Sequence, residues 1–235
     1  MHPELRGDHH VHSTFSDDAV STLEENVAAA HAAGLTELRL VDHVRLDTTW
    51  VPEFLAAVAA LEVPEELTVH TGVEAKILDA SGALDLPPGL AGVDRILIAD
   101  HRFPGTDGPW SPAEAVDRMA AGLSPDDALD LLIGALLGAM RRHPGNQLAH
   151  CFSILPKVGL DETRLGAERL DAWARTAAAT DTLIEVNEKW ACPGPLAIAA
   201  ARAAGARLVA STDSHAASDV GRYDRVVALL DEGAP

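Results

Sequence analysis

Short runs of branched apolar residues recur along the chain, each followed by a longer, often alanine-rich segment whose apolar positions repeat at helical spacing. Seven runs predict strands, centred on Leu5 to His10, Glu37 to Val41, Leu67 to Val73, Asp94 to Ala99, Asn146 to His150, Thr182 to Val186 and Arg207 to Ser211. Helices are predicted near residues 22–33, 52–61, 112–142, 162–179, 193–204 and 220–232. This alternation implies an α/β fold with a parallel sheet covered by helices, either closed as a barrel or open.

Local signals sharpen the boundaries. Ser21 or Thr22 can cap the first helix, with Glu24 and Glu25 in its first turn and Gly34 ending it. Ser111-Pro112 with Glu114, and Ser124-Pro125 with Asp126 and Asp127, each read as a helix start, so 112–142 splits into two helices near Gly122. Ile77 to Leu86 alternates around Ser81-Gly82 and predicts a small hairpin insertion near 75–90. Pro87-Pro88-Gly89 is a local turn, and neither a repeat nor a linker interrupts the chain, so residues 1–235 are expected to form one domain.

Composition narrows the class. The 36 acidic and 18 basic residues give a formal charge of −18, opposite in sign to what a phosphate-backbone binder requires, so nucleic acid is not the expected partner. No apolar run approaches the roughly 18 residues of a membrane span, and the start lacks the apolar stretch of a secretory signal, which together predict no membrane partner and a cytoplasmic protein. Cys151 and Cys192 are too few for a disulfide framework and are expected to be reduced, Cys151 pointing into the core.

Eleven histidines in a chain with three lysines draw attention to their positions. In βα barrels chemistry collects just after the carboxyl ends of the strands. His10, His12, His43, His101, His150 and His215 all fall there, beside Asp42, Glu74, Asp100, Asn187 and Asp213. His10 and His12, two apart on a strand, present both imidazoles on one face, and Asp213 and His215 repeat that spacing on the last strand. Taken alone, His-x-His also fits a histidine-rich surface, and Asp17 also fits a helix cap. Nitrogen and oxygen donors without sulfur suit zinc, manganese or iron at a catalytic rather than a structural site. About nine donors are too many for one ion, so two or three divalent ions are expected.

The ordered set Asp8-His9-His10-Val11-His12-Ser13-Thr14, Ser16-Asp17, Val41-Asp42-His43, Gly72-Val73-Glu74, His101, His150, Glu185-Val186-Asn187 and Ser211-Thr212-Asp213-Ser214-His215 resembles the PHP (polymerase and histidinol phosphatase) family. The resemblance spans about the first 215 residues. It implies a distorted, TIM-like (β/α)7 barrel with a trinuclear metal site at the carboxyl ends of its strands. It implies one metal on His10, His12, Glu74 and Asp213, a second on Glu74, His101 and His150, and a third on Asp17, His43 and His215. His9 stands where the family usually has an aliphatic residue.

The expected reaction is hydrolysis of a phosphate ester, chiefly a small phosphomonoester of the histidinol phosphatase kind. A hydroxide bridging the metals would attack, held in place by His10, His12, Glu74, His101 and Asp213 as ligands. Arg102, Lys189 and Arg222 are candidates for substrate contact, Asp8 and Asp42 for supporting ligands from behind, and Trp50, Trp110 and Trp190 for the pocket wall. Asp42 could equally cap a helix. Three alternatives remain open: a phosphodiesterase or nuclease of the same family, an amidohydrolase-like metal hydrolase, and a metal-binding module without turnover. The sequence names neither the leaving group nor the oligomeric state.

Overall fold

A computed structural model describes residues 2–234. Seven parallel strands form one sheet in the order β1 (Gly7–Val11), β2 (Glu37–His43), β3 (Thr68–Lys76), β4 (Arg95–Ala99), β7 (Gln147–Ala149), β8 (Leu183–Asn187) and β9 (Leu208–Ser211). The sheet curls until its edges meet at Val11 and Ser214, where His12 N donates to the Ser214 carbonyl at 2.8 Å. The result is the nearly closed, distorted TIM-like barrel that the family resemblance implies.

Helices α1 (Leu23–Ala32), α2 (Val51–Ala59), α3 (Pro112–Ala120), α4 (Pro125–Arg142), α5 (Gly166–Ala179), α6 (Pro195–Ala203) and α7 (Arg225–Glu232) accompany the sheet. Thr22 caps α1 in a capping box with Glu25, while Ser21 instead receives Ala217 N. Ser111 and Glu114 make the same box at α3. The 112–142 segment divides as expected, with Gly122 at φ +119° in the break. Leu129, Leu132, Leu136 and Met140 of α4 pack with Trp173 of α5 in the largest core cluster. None of the described helices is long and apolar enough to cross a membrane.

Several boundaries differ from expectation. The first strand starts at Gly7 because Pro3–Arg6 forms a 3-10 turn, for which Pro3 pre-sets the backbone angle. Residues 162–165 are likewise a 3-10 turn ahead of α5, and α7 begins only at Arg225. Ile77 and Leu84 form a single antiparallel bridge rather than a ladder. A two-stranded hairpin, β5 (Phe103–Gly105) and β6 (Gly108–Trp110), lies where no strand was predicted, because Phe-Pro-Gly-Thr-Asp-Gly-Pro-Trp carries turn residues rather than alternating ones.

Alternating strand residues fill the barrel in layers. Val41, Leu97, Ala99 and Ala149 form an apolar plug across its middle. Gly72 makes that layer possible, since a Cβ there would stand 3.0 Å from both Leu97 Cδ1 and Val41 Cγ2. In β1 the register slips: Asp8 pairs with Leu38 but Val11 with Leu40, so β1 carries one extra residue, a bulge. Consecutive residues His9 and His10 therefore serve opposite ends of the barrel, His9 lining a cavity at the amino ends of the strands and His10 joining the cluster at the carboxyl ends.

Candidate metal centre

Glu74, two residues from the end of β3 and 2 % exposed, is the hub of the carboxyl-end cluster. Its Oε1 lies 3.0 Å from His101 Nε2 and 2.9 Å from His150 Nε2. Its Oε2 lies 2.8 Å from His43 Nδ1, 3.5 Å from His10 Nε2 and 3.6 Å from His12 Nε2. Asp213 closes the other side, its Oδ1 3.4 Å from His12 Nε2 and 3.6 Å from His215 Nδ1. Three sets, His12/His43/His215, His10/His12/Asp213 and His43/Glu74/His101, bring their donor atoms within 4.8 Å of one another. His150 and Asp213 hold positive φ values of 30° and 52°, a strain characteristic of functional positions.

Groups behind the imidazoles fix which nitrogen points inward. Glu185, fully buried on β8, accepts from His10 Nδ1 at 3.0 Å, Gln147 Nε2 at 2.8 Å, Asn187 Nδ2 at 2.6 Å and His150 N at 3.2 Å. Asp42 accepts from Ser13 N, Ser13 Oγ and Ser16 Oγ, and Ser16 Oγ sits 3.3 Å from His12 Nδ1. Asp42 thus acts on His12 through a hydroxyl and does not cap a helix. Asp100 accepts from Phe152 N and Ser153 Oγ, and Ser153 Oγ is 3.2 Å from His150 Nδ1. In each case Nδ1 is engaged from outside and Nε2 faces the carboxylates, unbonded in His10 and His12 and at hydrogen-bond distance from Glu74 Oε1 in His150.

That arrangement demands a cation. His10 Nε2, His12 Nε2 and Glu74 Oε2 are buried and make no hydrogen bond, although carboxylate and imidazole stand 3.5 and 3.6 Å apart. A lone pair facing a carboxylate oxygen in a buried site is repulsive unless positive charge lies between them, and a divalent ion with nitrogen and oxygen ligands supplies it. The donor set therefore fits divalent metal. Titration points the same way. Burial pushes His12 down to about 3, keeping its lone pair free. Burial also opposes charge on His10, yet Glu185 and Glu74 outweigh it and raise its affinity for positive charge, proton or metal alike. Burial would raise Glu74, but His101 and His10 hold it well below the usual carboxylate range.

A cavity of about 570 Å³ opens over this cluster, lined by Asp17, Asp18, His43, Arg45, Glu74, Lys76, Arg102, Lys189, Trp190, Asp213 and His215, among others. Asp17 reaches the cavity, but Asp18 makes the contacts, its Oδ2 3.5 Å from His43 Nε2 and 3.2 Å from His215 Nε2. Sequence alone could not choose between adjacent aspartates in a turn. Arg102 and Lys189 line the cavity; Arg222 does not, because it sits exposed in the turn before α7. Trp190 donates from Nε1 to Asp213 Oδ2 at 2.8 Å. Trp110 instead stacks on Phe103 in the β5–β6 hairpin, and Trp50 packs on Phe15 and Phe54 beside a smaller neighbouring pocket.

Asp8 supports no imidazole ring. It accepts from Thr212 N, Thr212 Oγ1 and Gly221 N, which ties β1 to the chain beyond β9. Cys151 is buried in the α4–α5 core cluster, as expected. Glu185 and Asp100 stand in the sequence pattern, but the sequence assigns neither of them a role. Glu185 lies inside a strand rather than at its end, although a carboxylate between Ile184 and Val186 is itself a signal of a buried partner.

A probable phosphatase of Caldanaerobacter subterraneus is 26 % identical over 228 residues, covering 96 % of this chain and 82 % of that protein. A probable phosphatase of Acetivibrio thermocellus is 26 % identical over 235 residues, covering 96 % and 86 %. The solved structure of a histidinol phosphate phosphatase from Lactococcus lactis, complexed with zinc, L-histidinol and phosphate, superposes with a TM-score of 0.68 at 17 % identity, over 97 % of this chain and 93 % of that one. The family model of the PHP domain matches residues 8–189, and the chain belongs to that family.

Proposed function

We propose that this chain is a metal-dependent phosphatase acting on a small phosphomonoester. The observation that carries the reading is the convergence of five imidazoles on Glu74, with His10 Nε2, His12 Nε2 and Glu74 Oε2 buried and unbonded. Its family and the names of its relatives support phosphoester hydrolysis over other metal chemistries. His10, His12, Glu74 and Asp213 would hold one ion, Glu74, His101 and His150 a second, and His43, His215 and an aspartate of the 17–18 pair a third. Bound there, divalent ions lower the pKa of water and neutralise phosphoryl charge.

The chain's own groups do the rest. Glu185, Asp42 with Ser16, and Asp100 with Ser153 hold the imidazoles so that no reorganisation accompanies reaction. Trp190 fixes one carboxylate oxygen of Asp213 and leaves the other to the cluster. Arg102 and Lys189, on the cavity wall, are placed to receive phosphoryl oxygens or an anionic tail. A cavity of about 570 Å³ and the net charge of −18 favour a small monoester over a polynucleotide. The relative solved with L-histidinol and phosphate makes an amino-alcohol phosphate the first compound to try.

The test is metal analysis of the purified protein together with turnover of phosphomonoesters and diesters under zinc, manganese or iron. Hydrolysis of monoesters that is lost in His10→Ala and Glu74→Ala is the expected result. A metal-loaded protein that turns over no ester would overturn the reading.

A further inference from the structure

At the opposite end of the barrel, the amino ends of the strands surround a second cavity of about 460 Å³. Four arginines line it, Arg6, Arg39, Arg95 and Arg207, against two glutamates, Glu4 and Glu37. In a chain with a net charge of −18, that local excess of positive charge is unexpected.

The carboxylates nearby are largely engaged elsewhere. Glu4 lies 3.7 Å from Arg202, Asp94 accepts from Thr71 N and Thr71 Oγ1, and Arg207 is paired with Asp181 at 2.6 Å, while Glu37, 3.7 Å from His70, stays on the cavity wall. Among the described residues, none places a carboxylate within ion-pair distance of Arg39 or Arg95. Their donors rest on carbonyls instead: Arg39 Nη1 on Thr71 O at 3.0 Å, Arg95 Nη1 on Gly145 O and on Asn146 O at 3.2 Å. Carbonyls satisfy hydrogen bonds but do not neutralise charge. Arg39 is only 4 % exposed, and its Nε has no partner. A guanidinium so deeply placed with no carboxylate in contact is costly, and a planar fork of donors matches an oxyanion. Burial, and next Arg95, lower Arg39 to about 10 against the opposing pull of Asp94 and Glu37, which stand too far off to pair with it.

We propose that this lower mouth is an oxyanion site, seating the phosphate or carboxylate of a small molecule against Arg39 and Arg95. The apolar plug of Val41, Leu97, Ala99 and Ala149 separates it from the metal centre, so it is a site of its own rather than an extension of the other. The proposal is independent of the reaction assigned to the upper mouth.

Two probes distinguish the sources of the anion: inorganic phosphate, and phosphonoacetate, which resists phosphatases and joins both anion types on one carbon chain. Calorimetric titration of the metal-loaded protein should show a binding event that weakens about tenfold or more in Arg95→Gln and in Arg39→Gln, whatever occurs at the metal centre. Tighter binding of phosphonoacetate than of phosphate identifies an organic ligand; equal binding identifies the free ion. Crystals soaked in selenate should show an anomalous peak beside Arg39 and Arg95 that Arg95→Gln removes. Should Arg39→Gln fail to fold, the half-buried Arg95 carries the test. Titrations indistinguishable between wild type and Arg95→Gln, or no selenate at the lower mouth of the wild type, would overturn the proposal.

Discussion

Exchanging Glu185 for glutamine changes one oxygen for an amide nitrogen at the point where four donors converge on a fully buried carboxylate. The amide cannot accept on both arms; with its nitrogen in place of Oε2, Gln147 Nε2 loses its acceptor and His10 Nδ1 keeps only the longer contact, 3.2 Å, to Oε1. Gln147 can adapt by turning its amide, since its Oε1 has no partner. His10 then either holds the longer bond to Oε1, with its ring less firmly set, or moves its proton to Nε2, which removes the lone pair it presents toward Glu74. The expected loss is 10- to 100-fold in metal affinity, about 1.4–2.7 kcal/mol, by analogy with partners of ligating histidines. Folding stability should fall by about 1–3 kcal/mol, the cost of leaving one buried donor poorly satisfied. Two measurements separate these effects. Chelator competition reads metal affinity directly, and esterase activity against metal concentration should shift to higher metal while recovering much of its maximum at saturation. A glutamine variant that folds and binds metal within twofold of wild type would refute the claim that Glu185 positions His10.

Three further outcomes are expected. Gly72→Val should lower stability by about 1–3 kcal/mol, because even its Cβ would stand 3.0 Å from two plug side chains; a thermal melt reads this as a fall of several degrees. Asp8 is raised to about 6 by burial, against the pull of its bonds to Thr212 and Gly221, so the folded state holds a proton there more tightly than the unfolded chain. That contribution is complete below about pH 4 and is lost as pH rises through 6, worth up to about 3 kcal/mol; the difference in denaturation free energy between wild type and Asp8→Asn should follow this slope, and a flat difference would contradict it. Stripping divalent ions with a chelator should lower the melting temperature and abolish turnover, both restored on re-addition; an unchanged melt and undiminished activity would show that the cluster holds no functional metal.

The barrel was readable because burial forces each strand into a short branched run and each helix into a capped, periodic one. His10, His12, Glu74, His101, His150 and Asp213 were readable as candidates for a related reason: a polar side chain directly after an apolar strand lies at the barrel mouth. What escaped depends on distances between segments far apart in the chain. Glu185 meets His10 across 175 residues, a contact no local pattern encodes. Asp18 rather than Asp17 faces His43 and His215 because of how one turn is rotated. Arg222 carries the right charge but sits on the wrong side of the loop before α7. The β5–β6 hairpin is held by ring stacking of Phe103 on Trp110, in a run too rich in turn residues to resemble strands.

The extra residue in β1 has a consequence for how the barrel can vary. With regular alternation from His10 backwards, Asp8 would face the interior and the place now taken by His9 would point out. The inserted position turns Asp8 toward the last strand, where it latches Thr212 and Gly221, and hands the interior to a neutral ring. Deleting one residue at 9 would restore regular alternation with Asp8 directly before His10 and still facing outward toward Thr212, and it would remove the neutral ring from the lower arginines. One change in length would then take an imidazole out of the far mouth, with the seam carboxylate and the metal-facing histidines keeping their sides.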